Sequence, residues 1–254
     1  MHLFSSFLSL TGKCAVCQNP LRKEEHDICT GCLSQLPMTN LSDHEENILE
    51  KHFWGHIPIV RASSLFIYHK GADSHLLLRR LKYMHQSSIG ITLGRIMATY
   101  LQDTAFFDEI DMIVPVPLAK ERLRKRGYNQ SAFLAEGIHE ITQLPVVSKG
   151  ISRIVSNKTQ TSMSYAECFH NVEGIFKVES PERFYNKHIL IVDDVVTSTA
   201  TIVSLANTFE KNKDTHFSIL TLAMSSSITE IPYYKEDNRE DMENQEDEIF
   251  MPES

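Results

Sequence analysis

The stretch that decides the fold reads Ile189-Leu190-Ile191-Val192-Asp193-Asp194-Val195-Val196-Thr197-Ser198-Thr199-Ala200-Thr201. Four apolar residues in a row, entered from His188, make a strand apolar on both faces. Such a strand belongs inside a parallel sheet with helices on either side. It ends in two adjacent carboxylates, and a hydroxyl-rich turn then opens a helix expected over about 200–211. In open α/β sheets, ligands bind beyond the carboxyl ends of the strands. A helix start offers unpaired backbone N–H groups and the positive end of a dipole, a seat for phosphate. Thr197, Ser198 and Thr201 add hydroxyl donors there. Acids beside such a seat repel an anion unless they hold sugar hydroxyls or Mg²⁺. The ligand implied is a sugar phosphate. The same residues also read as an ordinary capped helix start with Asp194 as the capping acid. Taken alone, the stretch does not separate the two readings.

Working outward, the chain keeps alternating strands with helices. Downstream lies a strand over about 216–223. Upstream, Ser63, Leu65 and Ile67 alternate with Ser64, Phe66 and Tyr68, a strand pattern. Helical spacing follows over about 73–85 (Leu77, Leu81, Met84) and 89–102 (Ile89, Leu93, Ile96, Met97). Residues 110–117 make a strand running into a proline-stiffened turn, and a helix is expected over about 128–141. An extended piece near 146–151, a polar stretch without period over 154–170 and a short strand near 174–178 complete the order. This is an α/β pattern: a parallel sheet with helices on both faces. It carries no internal repeat.

Four of the five cysteines fall within 19 residues, as Cys14-Ala15-Val16-Cys17 and, eleven residues on, Cys29-Thr30-Gly31-Cys32. Without a secretory signal, paired CxxC knuckles read as a metal site rather than as disulfides. Four thiolates suit a closed, structural zinc site with no open position for a substrate water. So short and polar a module has almost no core of its own, and metal binding is expected to supply most of its folding energy. Removing the metal is then expected to unfold residues 14–32 and leave the α/β domain folded. The expected organisation is a zinc ribbon over 1–36, a connector over 37–58, the α/β domain over 59–225 and a disordered acidic tail over 226–254.

The 254 residues carry 25 Lys+Arg, 33 Asp+Glu and a formal net charge of −8. Residues 230–254 hold ten acids against Lys235 and Arg239, which is the whole net charge, so the rest of the chain is neutral. Dense like charge with few apolar residues cannot bury enough surface to order itself. The length excludes a disulfide-stapled mini-protein, and 10 Gly with 9 Pro exclude collagen-like or low-complexity chains. No stretch free of Asp, Glu, Lys and Arg exceeds 15 residues. A spanning helix needs about 20 apolar residues, so no membrane insertion is expected. The opening Met1–Leu10 reads as amphipathic rather than as a signal peptide, which makes a cytoplasmic location the expectation.

Several motifs together resemble the phosphoribosyltransferase superfamily, and more narrowly the ComF family of competence-associated proteins. They are the cysteine ribbon, Leu81-Lys82-Tyr83, Val114-Pro115-Val116-Pro117-Leu118, Arg122-Leu123-Arg124-Lys125-Arg126-Gly127-Tyr128-Asn129-Gln130-Ser131 and Leu134-Ala135. Arg153 with Thr159-Gln160-Thr161, Asn171-Val172-Glu173-Gly174-Ile175-Phe176 and the Asp193-Asp194 turn follow in family order. The resemblance implies a type I phosphoribosyltransferase-like domain binding 5-phosphoribosyl-1-pyrophosphate (PRPP) with Mg²⁺. Asp193 and Asp194 would hold the ribose hydroxyls, and Thr197, Ser198, Thr199, Ala200 and Thr201 the 5′-phosphate. The turn at Pro117 and Leu118 would correspond to the pyrophosphate loop. Residues 120–126 carry five basic groups and one acid. Arg122, Arg124 and Arg126 could therefore meet pyrophosphate or a nucleic-acid backbone, or simply form a solvated basic helix start. Arg153, Lys158 and Gln160 fall at the family's mobile catalytic loop.

As an enzyme the protein would catalyse attack on C1 of PRPP with pyrophosphate leaving, aided by positioning and cationic stabilisation. The family also implies handling of single-stranded DNA alongside helicase-type competence or repair partners. An active transferase, a PRPP-binding regulator without turnover and a DNA-handling adaptor all remain open. Two residues depart from the family pattern. Thr199 stands where the phosphate turn carries Gly, so either the turn has another shape or phosphate binding is weakened. Cys168 replaces an Arg.

Overall fold

A computed structural model describes residues 12–41, 46–69, 73–83, 87–154, 174–209 and 214–230. The amphipathic opening, Lys158, Gln160, Cys168 and residues 231–254 of the acidic tail lie outside the described residues. In chain order the strands are β1 (Ile59–Tyr68), β2 (Met112–Pro115), β3 (Ile151–Arg153), β4 (Phe176–Val178), β5 (His188–Val196) and β6 (His216–Ser225). The helices are α1 (Thr30–Ser34), α2 (Ile48–Lys51), α3 (Asp73–Tyr83), α4 (Ser87–Leu101), α5 (Lys120–Arg126), α6 (Gln130–Thr142), α7 (Ala200–Phe209) and α8 (Ser226–Glu230).

β1, β6, β5 and β2 form a parallel sheet in that order, with Ile191 of β5 opposite both Val114 of β2 and Ile219 of β6. Val146 extends the sheet beyond β2 through a parallel bridge to Ile113. The long apolar run explains the centre. Along β5 and β6, successive residues drop into two separate cores. Ile189, Ile191, Phe217 and Ile219 pack with Ile202, Leu205 and Phe209 of α7. Leu190, Val192, Leu220 and Leu222 pack on the other face with Leu77, Leu93 and Leu134 of α3, α4 and α6. Helices therefore cover both faces, as the sequence pattern requires. The chain leaves β2 toward α6 on one face and leaves β5 toward α7 on the other. The sheet thus has its topological switch point between β2 and β5, where open α/β sheets hold their ligands.

α4 and α6 approach closely because neither carries side chains at the crossing. A Cβ on Gly94 would stand 2.1 Å from the Leu134 carbonyl oxygen, and one on Gly137 2.1 Å from that of Ile91. The helix expected over 128–141 is α6, and a separate short helix, α5, stands before it. Gly127 takes φ +79° and caps α5, with its N–H donating to the Leu123 carbonyl at 2.7 Å, before α6 begins.

The ribbon and connector are more firmly packed than their polarity suggests. Leu21, Ile28 and Leu36 are buried and belong to the core on the α4 face. Asp27 accepts from Ser88 Oγ at 2.8 Å and from Thr92 Oγ1 at 2.7 Å, fastening the second knuckle to α4. The connector closes the β1 edge. Met38 bridges Phe66 antiparallel, and the buried pair Asn47 and Glu50 caps α2 while bonding both the C=O and the N–H of Ala62. An open strand edge is an aggregation hazard, and this segment covers it. The fold also runs past the expected boundary at 225, since α8 buries Ile228.

Gly137→Ala should lower stability by about 1–3 kcal/mol, the usual cost of overpacking a close contact. A downward shift of the urea midpoint at unchanged slope would show it, whereas an unshifted midpoint would mean that the helices part freely.

Candidate functional site

At the switch point lies a cleft of about 110 Å³. One wall is the turn after β2, with Val116, Pro117 and Leu118, and the other is Asp193, Asp194 and the Thr197–Ser198 turn after β5. Arg122 and Arg126, one helical turn apart on α5, and Arg153 at the end of β3 complete the rim. The Arg153 guanidinium stacks 5.7 Å over the Phe176 ring, which fixes its direction from the β3–β4 hairpin.

The acid pair is held by donors from three elements. Asp193 Oδ1 accepts from Ser131 Oγ at 2.9 Å and from the Asp194 N–H at 2.8 Å. Asp194 Oδ2 lies 3.3 Å from Lys82 Nζ at the end of α3. Burial, together with the neighbouring Asp194 charge, outweighs these donors and pushes the Asp193 carboxyl up to about 7.

Ser131 closes a run in which consecutive side chains each tie down a part of the cleft. Tyr128 Oη donates to the Leu81 carbonyl, Asn129 Nδ2 to the Val116 carbonyl at 3.0 Å, and Gln130 Nε2 to the Lys82 carbonyl at 3.5 Å. The run therefore joins the end of α3, the turn after β2 and the end of β5.

Of the expected site residues, Asp193, Asp194, Thr197, Ser198, Thr201, Pro117, Leu118, Arg122, Arg126 and Arg153 come together. Arg124 is exposed on α5 and lies outside the cleft lining, as do Thr199 and Ala200. Thr199 is 4% exposed, its carbonyl accepts the first helical bond from the Val203 N–H at 2.9 Å, and its φ is not in the left-handed region. The turn thus has a shape that a β-branched residue accepts. Sequence reading passed over Lys82, Asn129, Gln130 and Ser131 as site residues. The signal for Lys82 was its place in the Leu81-Lys82-Tyr83 motif, which carried no role for it.

A second cluster stands apart from the cleft. The ligand sulfurs of Cys14, Cys17, Cys29 and Cys32 all lie within 4.8 Å of one another, with Cys17 and Cys29 Sγ 3.8 Å apart. Tetrahedral ligation at about 2.3 Å puts sulfurs about 3.8 Å apart, so the donor set fits a zinc ribbon. Cys14 Sγ accepts from the Val16 N–H at 3.4 Å and the Cys29 N–H at 3.3 Å. Burial works to raise the Cys14 thiol, but the backbone donors outweigh it and lower the group to about 6. Burial and the surrounding sulfurs push Cys32 upward.

The fold is a parallel-sheet α/β domain with helices on both faces, led by a four-cysteine ribbon. Known relatives agree with the motifs. Competence protein F of Haemophilus influenzae is 23% identical over 215 residues, 78% of this chain and 91% of that protein. The DNA utilization protein YhgH of Escherichia coli K12 is 25% identical over 216 residues, 81% of this chain and 93% of that protein. Competence protein ComFC of Bacillus subtilis is 32% identical over 119 residues, 46% of each chain. No family model matches. Among solved structures, an allosteric regulatory enzyme of purine biosynthesis aligns at 18% identity with a TM-score of 0.37, covering 56% of this chain and 30% of that one. Relatives named for competence and DNA utilization, matched over most of the chain, support the ComF family.

Two predictions follow from the geometry. Asp193 keeps its proton in the folded state up to about pH 7, whereas in the unfolded chain it ionises near the ordinary value of about 3.9. Its contribution to stability is therefore complete below that lower value and is lost as pH rises through the folded one. Asp193→Asn, which does not titrate, should gain stability relative to the parent between pH 4 and 7 and level off above; urea unfolding across that range reads it. Metal removal by a chelator should speed amide exchange across residues 12–36 and, through the Asp27 bonds, at the start of α4. The strands of the central sheet should keep their protection.

Proposed function

We propose that this chain binds a PRPP-type sugar phosphate in the switch-point cleft and serves DNA uptake or handling. The observation that carries the reading is the meeting, beyond the carboxyl ends of β2 and β5, of an acid pair, a hydroxyl-bearing helix start and three arginines. Asp193 and Asp194 would take the ribose 2′- and 3′-hydroxyls. Thr197, Ser198 and Thr201, with the start of α7, would take the 5′-phosphate. Arg122, Arg126 and Arg153 would face a pyrophosphate. Mg²⁺ would come with the ligand, on its pyrophosphate oxygens. The ribbon would hold zinc, which four thiolates favour and which leaves no catalytic position open. A cytoplasmic location suits four free thiols. No described helix is long and apolar enough to cross a membrane.

A role with single-stranded DNA and helicase-type partners draws on the relatives' names and on one observation. α5 divides its cations, with Arg122 and Arg126 at the cleft and Lys120, Arg124 and Lys125 exposed outside its lining. That second set is available to a phosphate backbone while the cleft is filled.

Calorimetry with PRPP and Mg²⁺ tests the reading. Saturable binding by the parent, weakened at least about tenfold, or 1.4 kcal/mol, in the Asp193→Asn/Asp194→Asn variant, is expected. Thr199→Gly should bind as the parent does, because that side chain stands outside the cleft. Absence of binding by both the parent and Thr199→Gly would reject a sugar-phosphate site and leave the exposed face of α5 to carry the function.

A further inference from the structure

Two adjacent carboxylates at the end of a buried strand need a cation nearby. Hydrogen bonds from Ser131 and a backbone N–H serve one of them, Asp193. For the other, the structure supplies a lysine. Lys82 is 5% exposed, and its Nζ stands 3.3 Å from Asp194 Oδ2. A lysine is seldom buried this far unless it is paired, and its place is not left to the side chain alone. The last turn of α3 is tied by its carbonyls, with Tyr128 bonding at Leu81 and Gln130 at Lys82. The same run of residues holds Asp193 through Ser131. One rigid segment thus sets both the acid and the base.

A divalent ion on Asp194 would have to approach the carboxylate to about 2.0–2.1 Å for magnesium. It would meet the ammonium group already seated there. The residues present therefore do not fit a magnesium ion bound directly on the acid pair.

We propose that Lys82 is the resident counter-ion of the acid pair, so that the two carboxylates receive sugar hydroxyls and do not themselves take a divalent cation. This rests on the sugar-phosphate reading for its ligand but not for its charge arrangement. It makes Lys82 a positioning residue. Any metal needed by the cleft is metal carried by a polyphosphate ligand, and a sugar monophosphate should bind without one.

The test uses the full chain with its ribbon metal in place and Mn²⁺ alone as the first probe, followed by electron paramagnetic resonance. The parent should take up no Mn²⁺ at the cleft. Lys82→Met should gain Mn²⁺ uptake there, and adding Asp194→Asn to that variant should abolish the gain. Mn²⁺ bound equally by parent and Lys82→Met, or by neither, overturns the proposal. If Lys82→Met alone does not fold, the double variant, which removes both charges, should fold.

The parent also decides the matter without substitution. Its affinity for ribose 5-phosphate should be the same with and without Mg²⁺, and a tenfold gain on adding Mg²⁺ would overturn the assignment. Complete failure to bind ribose 5-phosphate would count against the sugar-phosphate reading, while the Mn²⁺ result would still judge Lys82.

Discussion

Placing two neighbouring carboxylates directly after the fully buried run Ile189–Val192 is the arrangement around which this protein is organised. β5 is dry from Ile189 to Val192, so whatever follows must be satisfied at once by groups from elsewhere in the chain. Those groups come from the last turn of α3 and the first turn of α6, which are 49 residues apart between Lys82 and Ser131. Bringing them together requires α3, α4 and α6 to stack on one face of the sheet. That stacking in turn depends on the bare backbone contact between Gly94 and Gly137. The packing of one face is thus subordinate to the charge balance at one edge.

The run from Gly127 to Ser131 shows how few residues can do this. A glycine in the left-handed region ends one helix, and four polar side chains then fix three separate elements before the next helix is under way. None of the four is an acid, a base or a nucleophile placed for chemistry. They hold other residues still, which is what a preorganised site demands of its surroundings.

Much of this was legible in the amino-acid order because the signals were of the kind that burial imposes directly. The run Ile189–Val192 can sit only between two layers, and the paired CxxC knuckles converge on one point whatever lies between them. Alternating strands and helices fixed the layers, and the acid pair at a strand end pointed to the cleft that it lines. What stayed hidden depends on distance through space. Lys82 looks like a solvent-facing end of an amphipathic helix until α6 is laid across it. The connector reads as polar, yet Asn47 and Glu50 are buried because their polarity is spent on the backbone of β1. Residues 120–126 look like loop or helix start, and only the left-handed Gly127 shows where one helix ends and another begins. Thr199 was judged by what a glycine allows, but the turn here keeps this residue out of the left-handed region. Polar residues that serve another segment carry no periodicity, so pattern alone does not find them.

The parallel register of the sheet has an outcome for anything attached downstream. β6 runs alongside β5 in the same direction, with Val196 opposite Met224, so the chain emerges from the sheet on the side where the cleft opens. α8 then turns only five residues before the described structure stops at Glu230. A dye, affinity handle or surface tether placed after that helix would report from the side on which the cleft opens.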